Sequence, residues 1–400
     1  MGRGQPHRLA VCDIGRVHSD PPGASGARID NVPEMFQPAD MPLPPPDPFL
    51  RLRARGSATN GAGRFEPYGR EAVADGWDLP EDERLLRTEV SEERPRSVIT
   101  RNTSPDIPFD RSLNPYRGCE HGCSYCFARP SHGFLGLSAG LDFETRLVAK
   151  PDAPALLARE LARRGYRPAP LAIGTSTDPY QPIEARYRIM RGVLAVLSDW
   201  NHPVTIVTKG TLIERDIDIL AGMARRNLVH VGISVTTLDA GLCRALEPRA
   251  PAPARRLAAI RALAGAGIPV RVMAAPVIPV LTESELESIL AAAAEAGARA
   301  ASWILLRLPH EVAPLFRDWL HRHVPGQAAH VMNRLREMRG GADYDAEWGR
   351  RMRGQGVHAD LIARRFRVAS RRLGLDETLP ALDCGGFAPP PRAGDQLSLF

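Results

Sequence analysis

From about Leu113 onward, short apolar or β-branched runs alternate with longer amphipathic stretches. The runs Leu171–Ile173, Val204–Thr208, Val229–Val235, Pro269–Ala274 and Ser302–Leu306 predict strands, and Leu113–Tyr116 predicts one more near the start. Between them, Arg186–Ser198, Leu212–Arg226, Ala254–Ala264 and Glu283–Ala296 repeat their apolar positions with helical spacing. The last is preceded by Thr282 and carries Glu285 three positions on, the pattern of a capping box, with Gly297 just past its end. Strand starts at 171, 204, 229, 269 and 302 lie 25 to 40 residues apart. That interval fits a strand–helix–strand repeat and predicts a parallel sheet in an α/β fold. Six such units build either a partial barrel or an open doubly wound sheet, and periodicity alone does not separate the two.

The flanks read differently. Residues 1–95 hold Gln37–Phe49 (QPADMPLPPPDPF) and Ser57–Gly63 (SATNGAG), so a mostly disordered N-terminal region is expected. Proline removes backbone donors and glycine raises the entropy cost of ordering. The basic patch Arg51–Gly56 inside it reads as a solvated linker or a nucleic-acid arm. A core domain is expected over 96–325 and an arginine-rich helical extension over 326–385. A proline-rich linker and tail then follow over 386–400, with Pro389–Pro391 a stiff spacer.

Composition narrows the class. With 44% hydrophobic and 24% charged residues, the 400-residue chain is neither fibrous nor wholly disordered. No run approaches the ~18 apolar residues of a membrane span, and MGRGQPHRLAVCDIGRVHSD has no apolar core of a secretory signal. A cytoplasmic protein with no membrane partner is therefore expected. Six cysteines are too few for a disulfide scaffold, so free or metal-bound thiols are expected. The net charge of +6 is compatible with nucleic-acid binding. Lys150 and Lys209 are the only lysines; arginine dominance alongside abundant Ala, Gly and Pro is what GC-rich coding produces.

Three of the six cysteines, Cys119, Cys123 and Cys126, stand in NPYRGCEHGCSYCFARPSHG with C-x3-C-x2-C spacing. Soft thiolates this dense suit zinc or an iron–sulfur cluster. A structural zinc takes four protein ligands, which here requires His121 or His132. A cluster with three cysteine-bound irons needs no fourth ligand and leaves one iron open to substrate.

The C-x3-C-x-aromatic-C word, with Tyr125 as the aromatic, resembles the signature of radical S-adenosylmethionine (SAM) enzymes. The resemblance covers roughly Leu113 to Arg322. NPYRGCEHGCSYCFARPSH and LGLSAGLDFET are similar to the subgroup labelled DNA-repair photolyase-like, related to spore photoproduct lyase. The resemblance implies a partial (β/α)6 TIM-type barrel and a 4Fe–4S cluster held by Cys119, Cys123 and Cys126. It implies SAM on the open iron, cleaved after one-electron reduction to a 5′-deoxyadenosyl radical that takes a hydrogen atom from a substrate. A flavodoxin or ferredoxin-type electron donor is implied as well.

In a parallel sheet, ligands sit at the carboxyl ends of the strands. Thr175, Ser176 and Asp178 follow the Leu171–Ile173 run and are candidates for the SAM amino group, although no Gly-Gly-Glu occurs there. They serve equally as a helix-capping turn. Lys209 ends the Val204–Thr208 run and is a candidate for the SAM carboxylate, and spore photoproduct lyase-like proteins have a similar Thr-Lys word. Ser234 and Thr236 are candidates for the ribose hydroxyls, the Ala275–Val280 backbone for the flank of the adenine, and Tyr125 for an adenine neighbour by resemblance. Cys384, in Leu382–Gly386, is a candidate hydrogen-atom donor, and Cys243 a lesser one; either is also readable as an incidental or buried thiol.

At the C-terminus, Gln396, Leu397, Leu399 and Phe400 resemble the peptide by which bacterial proteins bind the sliding clamp. Three functions are expected. The first is a radical SAM enzyme on nucleic acid, of a DNA-repair lyase type. The second is radical SAM modification of RNA, protein or a small metabolite. The third is a non-enzymatic metal-binding adaptor tethered to the clamp.

Overall fold

A computed structural model describes residues 50–51, 55–61, 63–65 and 84–390. Its centre is a seven-stranded sheet, whose strands we number in chain order: β1 (Ile99–Arg101), β2 (Arg111–Leu113), β3 (Leu171–Ile173), β4 (Val204–Thr208), β5 (Val229–Ser234), β6 (Val270–Val277) and β7 (Ala300–Leu305). Their order in space is their order in sequence, β1 to β7. From β2 to β7 every pairing is parallel, and β1 adds an antiparallel edge. This is the partial (β/α)6 barrel. Leu171, Ile173, Val204, Ile206, Val231 and Ile233 are fully buried, as expected of strands covered on both faces.

Helices α1 (Ala153–Leu161), α2 (Ile189–Asp199), α3 (Ile217–Ala224), α4 (Ala240–Leu246), α5 (Pro253–Gly265) and α6 (Leu286–Glu295) connect the strands. Each helix buries an apolar stripe, such as Val193, Leu194 and Leu197 of α2. No capping box forms before α6. Thr282 accepts from the Ile278 amide through Oγ1, and the Glu285 carboxylate instead takes Thr237 Oγ1 and the Leu238 amide. Gly297 does adopt the left-handed conformation, at φ +99°.

The expected strand at Leu113–Tyr116 is split. Arg111–Leu113 belongs to the barrel, whereas Tyr116–Arg117 joins a three-stranded sheet with Arg146–Ala149 and Glu89–Glu92. Pro115, which has no amide hydrogen, stands at the break and accepts the Lys150 amide.

The expectation of disorder over residues 1–95 is corrected where residues are described. Gly56–Thr59 is buried against the segment after the cysteines, and the Gly56 and Ser57 amides donate to the buried Glu144 carboxylate, 2.9 Å each. Partners nearly ninety positions away supply what local composition lacks.

After β7 come α7 (Val312–His323), α8 (Pro325–Glu337) and α9 (Gly356–Arg372). The chain covers the free edge of β7 through Ala301 amide to Leu375 carbonyl and Leu305 amide to Met352 carbonyl. Several extension arginines serve this packing. Arg339 is buried and donates to the carbonyls of Leu306, Arg350 and Arg351, and Arg365 pairs with Glu283 and Glu287. Arg364, Arg367, Arg371 and Arg372 of α9 stay exposed. Among the described residues, no helix is long and apolar enough to cross a membrane. Gln396, Leu397, Leu399 and Phe400 lie outside the described residues.

Candidate active site

The cysteines sit on the loop after Tyr116–Arg117, and the loop is tied down at nearly every residue. Cys119 N–H donates to Phe143 carbonyl (2.9 Å), Ser124 N–H to Leu246 carbonyl (2.9 Å), and Cys126 N–H to Cys123 carbonyl (3.2 Å). Gln181 clamps its start: Oε1 accepts the Glu120 amide at 2.9 Å and Nε2 donates to Gly118 carbonyl at 3.1 Å. Arg129, fully buried, donates to the carbonyls of Cys123, Ala139 and Gly140 and pairs with Glu144. Gly122 turns with φ +65°, and a Cβ there would lie 2.7 Å from Glu144 Oε2, so this position takes only glycine without strain.

A second buried network also holds the loop. Tyr125 hydroxyl and Thr236 hydroxyl both donate to Glu247, which pairs with Arg256, itself 1% exposed. Burial opposes ionisation of Glu247, but the charges of Arg256 and Lys209 outweigh it and hold its carboxyl at about 2.

All three cysteines line one cavity of about 190 Å³ at the carboxyl ends of the strands. Gly174–Asp178 after β3, Val207–Lys209 at the end of β4, Ser234 of β5, Met273, Ala275 and Pro276 of β6, and Ile304–Arg307 at the end of β7 complete its wall. Gly174 is required where that wall is tightest: φ is +87° and a Cβ would lie 2.0 Å from Val207 carbonyl oxygen.

Burial pushes the Cys119 thiol well up, and Asp178, Cys123 and Cys126 add to the rise. Burial likewise takes Cys123 up to about 12 against the opposing pull of Lys209. Lys209 Nζ stands 5.7 Å from the Tyr125 ring centroid. Burial alone would lower its pKa, yet its neighbours Cys123 and the ionised Glu247 raise it above the usual lysine value, so the ammonium persists at the cavity wall.

The structure therefore brings together Cys119, Cys123, Cys126, Tyr125, Thr175, Ser176, Asp178, Lys209 and Ser234. Thr175 and Ser176 are fixed by Asn114, whose Nδ2 donates to Thr175 Oγ1 (3.4 Å) and whose Oδ1 accepts the Ser176 amide (3.1 Å). Asp178 reaches the wall with both oxygens already engaged. Oδ1 accepts Thr208 Oγ1 (2.5 Å) and the Tyr180 amide (2.9 Å), while Oδ2 accepts the Lys209 amide (2.7 Å) and lies 3.4 Å from His121 Nδ1. Burial opposes its charge, but His121 and these hydrogen bonds hold its carboxyl well below the usual range. It orients β3 and β4 ends rather than offering a free acceptor.

Thr236 is not on the cavity wall; its hydroxyl is spent on Glu247 and Tyr125. Cys243 is buried beside the same carboxylate, 3.8 Å from Glu247 Oε2. Cys384 is not brought to the cavity: the neighbouring Asp383 amide bonds Asn227 carbonyl, just ahead of the amino end of β5. His132 is also elsewhere, with Nε2 2.9 Å from Arg146 carbonyl. The residues that sequence reasoning missed are Asn114, Gln181, Glu144, Arg129, Glu247 and Arg256. A buried-charge pattern carries no local signal, and NPYRG alone hinted at Asn114.

The donor set fits a cluster. Among the described residues, no three His, Cys, Asp or Glu side chains stand as a closed shell for a single ion. The three thiols line one shared cavity, and three cysteine thiolates from one loop are a donor set that suits a 4Fe–4S cluster with one iron left open.

A family model described as the radical SAM superfamily matches residues 113–293. An uncharacterized protein of Mycobacterium tuberculosis is 39% identical over 278 residues, covering 69% of this chain and 80% of that one. The chain belongs to the radical SAM superfamily. It is thus an enzyme of the kind that uses a 4Fe–4S cluster and SAM. An uncharacterized protein of Methanocaldococcus jannaschii is 25% identical over 173 residues, 43% of this chain and 62% of that one. Among solved structures, spore photoproduct lyase complexed with dinucleoside spore photoproduct shares the fold, with a TM-score of 0.51 at 15% identity over 71% of this chain and 79% of that one.

Proposed function

We propose that this radical SAM enzyme acts on DNA as a repair-type lyase, with Cys119, Cys123 and Cys126 holding the cluster. One observation carries the reading of the site: the three thiols and the buried Lys209 ammonium face the same cavity at the strand ends. When bound together, cluster and SAM supply a 5′-deoxyadenosyl radical that takes a hydrogen atom from the substrate.

The chain's own residues do the rest. Lys209 pairs with the SAM carboxylate, and Thr175 and Ser176, held by Asn114, receive its amino group. Ser234 bonds the ribose, and the ring of Tyr125 lies beside the adenine. Asp178 and Thr236 act one step back, fixing Lys209 and Tyr125 in place. Met273, Ile304, Leu305 and Leu306 keep that part of the wall apolar and limit water. Of the three cysteines, Cys126 is the most exposed, which supports electron entry there from a flavodoxin or ferredoxin-type donor.

Support for DNA comes from the net charge of +6 and the exposed Arg364, Arg367, Arg371 and Arg372 on one helix. The clamp-like tail Gln396, Leu397, Leu399 and Phe400 supports recruitment to replicated or repaired DNA. The test is anaerobic reconstitution, reduction with dithionite, and detection of 5′-deoxyadenosine from SAM. Cys119→Ala, Cys123→Ala and Cys126→Ala each abolish it; retained turnover in any variant refutes the ligand assignment. Deleting Gln396 to Phe400 removes clamp pull-down and leaves SAM cleavage intact, and unchanged pull-down refutes the tail assignment.

A further inference from the structure

Three phenylalanine rings before and after the cysteine loop are exposed: Phe127 (45%), Phe65 (54%) and Phe134 (71%). Each carries an arginine. Arg307 Cζ stands 4.9 Å from the Phe127 centroid, and Arg64 Cζ stands 4.9 Å from Phe65 and 5.9 Å from Phe134. Phe65 and Phe134 pack together at 5.1 Å.

One ring and one guanidinium of the group belong to the cavity itself. Phe127 and Arg307 line it. Phe134 lies on the 3-10 turn Arg129–Leu135 that begins two residues after Phe127. Arg64 Nε faces Glu311 Oε1 at 3.9 Å, four residues beyond Arg307. That separation is too long for a hydrogen bond, and the Nε atoms of both Arg64 and Arg307 are shielded from solvent without a hydrogen-bond partner. Exposed flat rings cost hydration free energy, and the guanidinium groups beside them, Arg307 held by the Tyr344 hydroxyl and Arg64 facing Glu311, add positive charge at the ring faces.

One ligand answers both demands: a chain of flat bases joined by phosphates. Duplex DNA hides its base faces, whereas an unpaired strand or a turned-out base presents them. We propose that Phe65, Phe134 and Phe127, with Arg64 and Arg307, form a rim on which the bases of an unpaired DNA strand stack at the cavity mouth. This rests on the DNA reading above and deepens it by naming where the strand enters.

The test uses the full chain, a fluorescent single-stranded oligonucleotide of about 12 nucleotides, and the same strand carrying 2-aminopurine. Wild type binds and quenches 2-aminopurine by stacking. The Phe65→Ala/Phe134→Ala variant binds about 10- to 100-fold more weakly and loses the quench. Phe134→Ala alone, which removes a ring that is mostly in water, repeats the loss in part with little packing at stake, and Phe134→Trp restores it. Unchanged affinity and quench in the double variant overturn the rim while leaving DNA as substrate. A wild-type chain that binds duplex DNA but no single strand overturns the rim alone, and one that cleaves SAM but binds neither overturns the DNA reading as well. Tighter binding of the matching RNA strand overturns the assignment to DNA.

Discussion

Removing the Glu247 carboxylate is the most direct probe of how the cysteine loop is held. Glu247 is 1% exposed, and it is the counter-charge of Arg256, which is equally buried. Glu247→Ala leaves that guanidinium in the interior without its carboxylate, a loss of about 3–5 kcal/mol. Arg256 keeps its bonds to Pro251 and Ser234 carbonyls, which puts the expectation at the lower end of that range. The Tyr125 hydroxyl loses its carboxylate acceptor too, about 1 kcal/mol, whereas Thr236 keeps the Ala275 carbonyl; the Tyr125 loss overlaps with the first term because both share one carboxylate. A net loss of about 4 kcal/mol follows. For a folded unit of this size, that is roughly 6–8 °C in Tm. The assay is thermal and urea unfolding of the cluster-free protein under reducing conditions. The companion Glu247→Leu/Arg256→Met removes both charges and recovers most of the loss, since an apolar pair of similar volume often substitutes at little cost. A single variant that loses less than about 1 kcal/mol, or a double no better than the single, refutes the buried-pair argument.

Three other outcomes are expected. Lys209→Met weakens SAM binding by about tenfold or more in equilibrium dialysis with the reconstituted cluster, the value of one charge-assisted bond; unchanged affinity removes Lys209 from the carboxylate site. Burial pushes the His202 imidazole down to about 4, so its neutral form belongs to the fold, with Tyr166 hydroxyl on Nε2 and Pro203 carbonyl at Nδ1. The unfolded chain takes up the proton first as pH falls through about 6.5, so stability present above that value is lost toward pH 4. Urea midpoints should show a fall of about 2 kcal/mol between pH 7.5 and 5 from this residue, and His202→Gln should flatten it. Gly122→Ala should cost about 1–3 kcal/mol in the same assay, because its φ of +65° and the 2.7 Å approach to Glu144 leave no room for a methyl group; a neutral effect would show that the loop gives way.

The barrel was legible because its strands report themselves locally. Leu171–Ile173 and Val204–Thr208 are found where the apolar runs stand, and the cysteine spacing placed three side chains on one wall. Lys209 stood out by residue type and strand-end position, and both signals survive in the sequence. Thr236 shows the limit. A β-branched hydroxyl just past a strand end looks like a ligand group, but its neighbour is Glu247, delivered by the chain after α4. Nothing within the strand reports which hydroxyl faces the cavity and which faces a buried carboxylate. The glycine-rich stretch after Arg55 misled for a similar reason: its acceptors belong to Glu144, so composition read it as linker while tertiary pairing made it wall.

Two buried ion pairs, Arg129–Glu144 and Glu247–Arg256, hold the cysteine loop. Apolar residues of the same volume would stabilise the interior as well or better, so net stability does not account for them. Direction does. Arg129 aims donors at three backbone carbonyls, one of them from Cys123, and Glu144 accepts two amides from the incoming N-terminal segment. Glu247 holds Tyr125, one of the two residues between the second and third cysteines, by its hydroxyl. Apolar packing would let this short, glycine-turned loop slide among several arrangements, whereas fixed donors and acceptors select one. The loop's shape is therefore held by contacts within the protein, and the same carboxylate that fixes Tyr125 also keeps Lys209 charged at the cavity wall. Loop geometry and cavity charge are coupled through Glu247, so a substitution there should disturb both together.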